Sequence, residues 1–451
     1  MLGNGKTGAT VFGGTGSDKI LLNDITLWSG EPVNPDMNPD AHTFLPLVRE
    51  ALRKEDYKSA DSLVRHMQGK FSNAFSPLGT LYIDFGEGPA VKNYYRELSL
   101  DDAVSTITHQ AGNNTVTREY FVSHPDKILV IRIRAEKPVS FTIRQNSLLR
   151  HTLQVKNDVL NLSGRAPFRA FAHHYDRRDV NAVEYDDRRG TAFTSQVKII
   201  AGNGNIVRSD STVGVSQTTE ALVLVAIATS FNGFDKDPAQ NGLDEQALAA
   251  EYLDLASRKT FEQLKTAHLQ DYRTYFNRVK LDLRPDPAGT DIPTDERLKR
   301  YAAGATDRYL ETLYFQFGRY LLIASSRTPG VPANLQGLWN PHMLPPWNSN
   351  YTTNINLEEN YWLAENTNLP EMHRSLLTFI DNIAQTGTYT ARNFYGARGW
   401  SMAHNSDIWA MTNPVGDFGH GEPMWANWAM GGTWVATTFG NIIFSVRISP
   451  S

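Results

Sequence analysis

Between Arg327 and Trp362 the chain gathers side chains suited to a polyhydroxylated ligand. Asn334, Gln336, Asn340, Asn348, Asn350, Asn354, Asn356 and Asn360 are interleaved with Trp339, Trp347 and Trp362. An amide both donates and accepts hydrogen bonds, so a row of them can read sugar hydroxyls. An indole offers an apolar face to the C–H face of a sugar ring. Asn354 and Asn356 would share one side of an extended backbone, but not one side of a helix. Asparagine is equally a turn and cap residue, and on spacing alone that plainer role stays open.

A second cluster combines Trp400, His404, Asn405, Asp407 and Trp409; it too can be read as a capped loop with a solvated Asp. The usual glycosidase machinery is a pair of carboxyl groups, one acid and one base. No convincing pair is visible. Glu358, Glu359 and Glu365 fall on a helix face where solvation is expected, and Asp417 and Glu422 sit in a Gly-rich loop. The Gly3-x-Gly5-x-x-Gly8 spacing matches a dinucleotide fingerprint but lacks the strand before it and the helix after it. His173-His174 has no partner cluster for a metal, and Tyr175 to Asp179 reads as a solvated loop.

The elements that must position these clusters follow from pattern. Residues 1 to about 240 read as β, with short apolar runs such as Leu81-Tyr82-Ile83, Ile128 to Ile131, Val197 to Ile200 and Ala221 to Ala228 between turn residues. Many strands without long helices between them suggest a large antiparallel sandwich. A helical pattern covers 244–278, a Pro- and Asp-rich linker follows from Arg284 to Asp295, and from Leu298 the chain is helical again. Tyr309, Leu310, Leu313, Tyr314, Phe317, Tyr320, Leu321 and Ala324 recur as one buried stripe would. After the long irregular segment 331–355, of a length that is usually functional, a helix is expected at about 357–366. Another follows Pro370, with Met372, Leu376, Phe379, Ile380 and Ile383 on one face.

Bulk properties narrow the function. The 451 residues are 41% hydrophobic and 20% charged, an ordinary globular composition. A net charge of −4 with mixed signs leaves no nucleic-acid footprint. With no cysteine, disulfide scaffolds and thiolate metal sites are excluded. No apolar run approaches the roughly 18 residues of a membrane span, and Met1-Leu2 leads into Gly3-Asn4-Gly5 without a signal-peptide pattern. Seven of the nine Trp lie after residue 345, which concentrates aromatic surface in the helical half.

The ordered words of the chain resemble glycoside hydrolase family 95, the 1,2-α-L-fucosidases, which also holds α-L-galactosidases. The resemblance runs from Gly3 to about Thr437. It includes Thr26-Leu27-Trp28-Ser29-Gly30, Tyr95-Arg96-Glu97-Leu98, Phe317-Gly318-Arg319-Tyr320, Asn334-Leu335-Gln336-Gly337-Leu338-Trp339, Asn354-Ile355-Asn356 with Asn360-Tyr361-Trp362, His404-Asn405-Ser406-Asp407-Ile408-Trp409, and Met430-Gly431-Gly432-Thr433-Trp434. It implies an N-terminal antiparallel β-supersandwich (1–242), a helical linker (243–296) and the first part of an (α/α)6 catalytic barrel (297–437). It further implies inverting hydrolysis of terminal α-L-fucosyl or α-L-galactosyl residues. In the family two asparagines, matching Asn354 and Asn356, hold the attacking water; a distant aspartate polarises them and a glutamate protonates the leaving oxygen. Thr352, His404, Asp407 and Trp434 are the further pocket candidates. The expected partner is an oligosaccharide or polysaccharide, with no cofactor, metal, nucleic acid or membrane span.

Three departures modify that expectation. The family's glutamate and aspartate match no residue here, so activity is expected to be impaired by truncation, an absent general acid alone costing about 10²–10⁴-fold. Residues 438–451 are expected to be a frameshifted tail: one added nucleotide near Thr437–Thr438 turns codons chosen for that run into a family-like helix. Thr352 stands where fucosidases usually carry His, which leaves room near C5 of the sugar, where L-galactose has a hydroxyl that L-fucose lacks. Members usually carry residues, often an export signal, ahead of the Gly-Asn-Gly word. The rival readings are a non-catalytic carbohydrate-binding remnant, a product that binds nothing, and a disaccharide phosphorylase of similar architecture, which would need a phosphate cradle.

Overall fold

In the computed structural model the described residues are 1–170, 181–284 and 292–438. His173-His174, the Tyr175–Asp179 run and all of the 438–451 tail but its first residue lie outside them. The first half forms one 13-stranded antiparallel sheet. Its main path runs from Leu2–Gly3 and Thr7–Val11 through Ser17–Asp24, Gly79–Asp84, Ile128–Asn146, Val213–Thr229, Ala192–Ala201 and Val159–Arg165 to Arg150–Lys156. Ile128–Asn146 is 19 residues long. It pairs with Asn114–Ser123 along its first half and with Gly79–Asp84 along its second, and so joins the two parts of the sheet.

Alternation along the central strands explains the layering. Ala221, Val223, Val225 and Ile227 point into the main sheet core, together with Leu129, Ile131 and Ile133. Their neighbours Leu222, Leu224, Ala226 and Ala228 point the other way, with Ile128 and Val130. That outer face is covered by Ala249, Leu253, Ala256, Phe261 and Leu264, from helices Glu245–Ser257 and Phe261–Phe276. A strand buried on both faces reads as a continuous apolar run, as 221–228 does.

The single helical pattern over 244–278 is thus two helices. Asp244 caps the first, and Thr260 with Gln263 forms a capping box that starts the second. The β reading of residues 1–240 also missed two short helices, Leu45–Arg53 and Tyr57–Val64. They bury only Val48, Ala51 and Ala60, while Leu47, Leu52 and Tyr57 stay exposed, so no clean apolar stripe announces them.

In the helical half, Thr294–Ala302 and Arg308–Ser325 are separated at Gly304. The expected stripe on Arg308–Ser325 is only half right. Tyr314 is 80% exposed, whereas from Arg319 to Ser325 nearly the whole circumference is buried. There the helix meets the first strand: Tyr320 Oη donates to the Met1 carbonyl (2.6 Å) and Gly5 N to the Ala324 carbonyl (2.7 Å). A Cβ on Gly3 would lie 2.4 Å from that same carbonyl, which accounts for the N-terminal glycine spacing without any nucleotide. Helix Pro370–Tyr395 buries Met372, Leu376, Phe379, Ile380 and Ile383 as its pattern predicts, and ends on Gly396 at φ 60. These side chains share one core with Trp28, Phe75, Tyr272 and Phe276, so the sheet half and the helical half are packed together. No helix among the described residues is long and apolar enough to cross a membrane.

Candidate functional site

The segment 331–355 is anchored mainly by its asparagines. Asn340 Nδ2 donates to the Phe75 carbonyl (2.7 Å) and Asn23 Nδ2 to the Asn340 carbonyl (2.9 Å). Asn348 Nδ2 donates to the Ser72 carbonyl (2.6 Å), Asn350 Nδ2 to Ser72 Oγ (2.8 Å), and Asn334 Oδ1 accepts from Ser349 Oγ (2.8 Å). Asn334, Asn340, Asn348 and Asn350 are at most 2% exposed. For these four the structural role of asparagine prevails.

The chain then straightens into the two-residue strand Tyr351–Thr352, paired antiparallel with Asn405–Ser406. Thr353 N extends the pairing by donating to the His404 carbonyl (2.8 Å). Tyr351 is the anchor, its ring 5.2 Å from Trp28 and 4.8 Å from Phe379. The two clusters singled out in the sequence are therefore brought together by main-chain pairing. Asn354 follows in a turn and is exposed; Asn356 opens helix Asn356–Asn366 and is half-buried. Neither asparagine makes a side-chain hydrogen bond among the described residues. They lie at a helix N-terminus, not along one strand, and their amides remain available.

Glu358, two residues on, overturns the expectation of a solvated face. It is 3% exposed and neither carboxyl oxygen has a partner. Burial pushes its carboxyl up to about 7, although the first turn of a helix favours the anion; the cost of desolvation outweighs the dipole. Glu359 is exposed as expected, and Glu365 pairs with His373 Nδ1 at 2.9 Å.

His404 is 8% exposed, its Nδ1 unpartnered, and burial holds it down at about 4, so the ring is neutral at pH 7. It meets Trp425 edge-on at 5.8 Å. Asp407 is fully buried: Oδ2 accepts from Asn73 N (2.7 Å) and Asn73 Nδ2 (2.8 Å), and Oδ1 from Trp409 N (3.0 Å). Burial still raises its pKa above the ordinary carboxylate value. Asp407 therefore ties the helical half to the extended segment around Asn73, a partner 334 residues away that sequence reasoning did not find. Trp434 is 36% exposed, on the helix over 431–438, with Trp428 at 6.5 Å. That helix approaches residues 400–403 so closely that a Cβ on Gly431 would stand 2.2 Å from the Ala403 carbonyl.

A cavity of about 260 Å³ opens beside Asn73, Phe71, Trp409, Met411 and Arg189, between the two halves; Thr352, Asn354, Asn356 and His404 do not line it. Among the described residues no group of three His, Asp or Glu is placed to hold a metal ion.

Comparison with known proteins gives the chain its relatives. The model "Glycosyl hydrolase family 95 catalytic domain" matches residues 260–441, and "Glycosyl hydrolase family 65, N-terminal domain" matches residues 1–233. The chain is 32% identical to "Alpha-L-fucosidase 2" of Arabidopsis thaliana over 97% of its own length and 53% of the relative's. It is 30% identical to "Probable alpha-fucosidase A" of Aspergillus niger over 96% of its length and 54% of the relative's. The chain thus spans about half the length of the relatives it matches. Among solved structures, "Putative kojibiose phosphorylase from human microbiome" superposes with a TM-score of 0.53 at 11% identity, covering 91% of this chain and 50% of that one, a likeness of fold alone. Together these matches support a family of the glycoside hydrolase 95 type for this chain.

Proposed function

We propose that the chain carries the water-positioning half of an inverting glycosidase site that acts on terminal α-L-fucosyl or α-L-galactosyl residues of glycans. The observation that carries this is the contrast among its asparagines: Asn334, Asn340, Asn348 and Asn350 are buried and each is hydrogen-bonded into the fold, while Asn354 and Asn356 stand at a helix N-terminus with no side-chain hydrogen bond among the described residues. An amide oxygen is a weak base, so these residues orient water, and a charged carboxylate elsewhere must supply the basicity. In this reading Thr352 borders C5 of the sugar, neutral His404 and Trp434 line the pocket, and Asp407 holds the His404–Trp409 segment in place. The architecture we assign is a β-supersandwich over 1–242, a helical linker over 243–296 and part of an (α/α)6 barrel over 297–437. The compactness of the sheet core and its helical cover supports that division.

The test is release of L-fucose or L-galactose from α-1,2-linked substrates, with the anomer of the fresh product read by NMR. A β-anomer supports inversion; an α-anomer contradicts it. Sugar binding without release favours the second reading, a non-catalytic carbohydrate-binding protein.

A further inference from the structure

The cavity between the two halves lies apart from the asparagine pair. The sheet half supplies Glu31, Phe168 and Arg189 to its wall, and the helical half Trp409, Met411 and Asp417. Trp409 and Met411 are buried, which makes their part of the wall apolar. The charges there are balanced. Arg189 lies over the Phe168 ring at 4.2 Å and pairs with Glu31, Nε to Oε2 at 2.9 Å. Arg169 pairs with Glu184, and Lys70 and Asp417 add one charge of each sign. A purely apolar ligand would take Arg189 and Glu31 out of water without replacing it, and an anion would meet guanidinium groups already paired. A neutral pyranose suits the whole wall, with an apolar C–H face and hydroxyls that both donate and accept.

Asp417 reaches this wall through a constrained turn. Gly416, Asp417, Phe418 and Gly419 are four successive residues at positive φ, 131°, 49°, 61° and 118°. The sheet half holds the turn from several sides. Gln68 Nε2 donates to the Gly421 carbonyl (2.8 Å), and Gly421 N donates back to Gln68 Oε1 (3.1 Å). Arg65 Nη1 donates to the same carbonyl (3.2 Å), and Phe418 N to the Gly69 carbonyl (3.3 Å). Gln68 is buried. Backbone held in sparsely populated conformations by its surroundings clusters at ligand clamps.

We propose that this cavity is a second carbohydrate site, taking one neutral pyranose unit of a glycan, with Asp417 accepting hydrogen bonds from its hydroxyls and Gln68 as the positioning residue that holds the turn. The site does not depend on Asn354 and Asn356.

The experiment is ligand-observed NMR with the full chain, using the methyl glycosides of D-galactose, D-glucose and D-xylose as uncharged probes and D-glucuronate as the anionic one. Wild type is expected to bind at least one neutral probe, and D-glucuronate more weakly. Asp417→Asn keeps a side chain that tolerates positive φ and removes the charge. It should weaken that binding about tenfold, the worth of a hydrogen bond to a charged group. Gln68→Ala should weaken it by less, and in the Asp417→Asn background the Gln68→Ala effect should vanish, as a loss through general destabilisation would not. Asp417→Asn keeps the test in force if Gln68→Ala does not fold. The Asn354→Ala, Asn356→Ala variant should bind the probe as wild type does. No binding of any neutral probe by wild type, equal binding by Asp417→Asn, or tighter binding of D-glucuronate overturns the inference. Loss of binding only in the asparagine variant also overturns it, and leaves the asparagine reading standing.

Discussion

Two buried carboxyl groups, one in each half of the molecule, divide fold from function. Asp18 lies in the sheet with no exposure; its Oδ2 receives Arg118 Nη1 at 2.9 Å and Tyr120 Oη at 2.5 Å, and its Oδ1 the Gly13 amide at 2.7 Å. Glu358 is almost as deeply buried in the first turn of its helix and has no partner at all. A buried charge is tolerated when it is paired and hydrogen-bonded; an unpaired group neutralises instead. The sheet half meets that requirement at the Asp18 oxygens, although Nε and Nη2 of the partner Arg118 have no acceptor. The helical half leaves it unmet beside the two free asparagines, and buried polar groups without partners tend to mark sites where something other than packing is required.

The comparison is broken most easily at Asp18. Asp18→Ala strands Arg118 as an uncompensated buried cation and should cost on the order of 3–5 kcal/mol, read from urea denaturation at pH 7; a loss below about 1 kcal/mol would remove the contrast. Glu358→Gln should act in the opposite direction and depend on pH. The Glu358 carboxyl sits at about 7 in the fold against an ordinary value of 4.5, so ionisation is disfavoured by folding. Stability from this group is intact below about pH 4.5, falls between there and about 7, and stays low above. The Gln variant should be level with wild type near pH 4 and more stable at pH 8 by on the order of 1–3 kcal/mol; equal midpoints at both pH values would show a carboxyl that is not buried as described.

Asn73→Ala probes an intermediate case, because Asp407 would keep the Asn73 amide and Trp409 but lose one side-chain donor. The expected loss is about 1–2 kcal/mol, and a thermal melt that does not move would deny Asn73 its linking role. The smallest effect is reserved for the double variant Asn354→Ala, Asn356→Ala. Neither side chain is held by the fold, so its stability should stay within about 0.5 kcal/mol of wild type.

Much of this was legible in the sequence. The apolar run 221–228, the helix after the segment 331–355 and the face of Pro370–Tyr395 were read where they stand, because period and turn chemistry are local properties. What was not legible depends on partners far away in sequence. Glu358 looks like any charged residue in a first helical turn until the fold closes over it. The Asn73–Asp407 and Ser72–Asn350 contacts join residues 334 and 278 positions apart, and nothing in either neighbourhood signals the other. Tyr314 failed for the reverse reason: its periodicity fits a buried stripe, but the helix Thr294–Ala302 covers Tyr309 and Leu310 and leaves Tyr314 in solvent.

The central claim is that Asn354 and Asn356 are kept free by the fold in order to serve a sugar. Its most direct test compares wild type with the Asn354→Ala, Asn356→Ala variant for binding of L-fucose and L-galactose, with a thermal melt of each protein. The account predicts binding by wild type, loss of at least about tenfold in the variant, and superimposable melts. Equal binding by both proteins would contradict it.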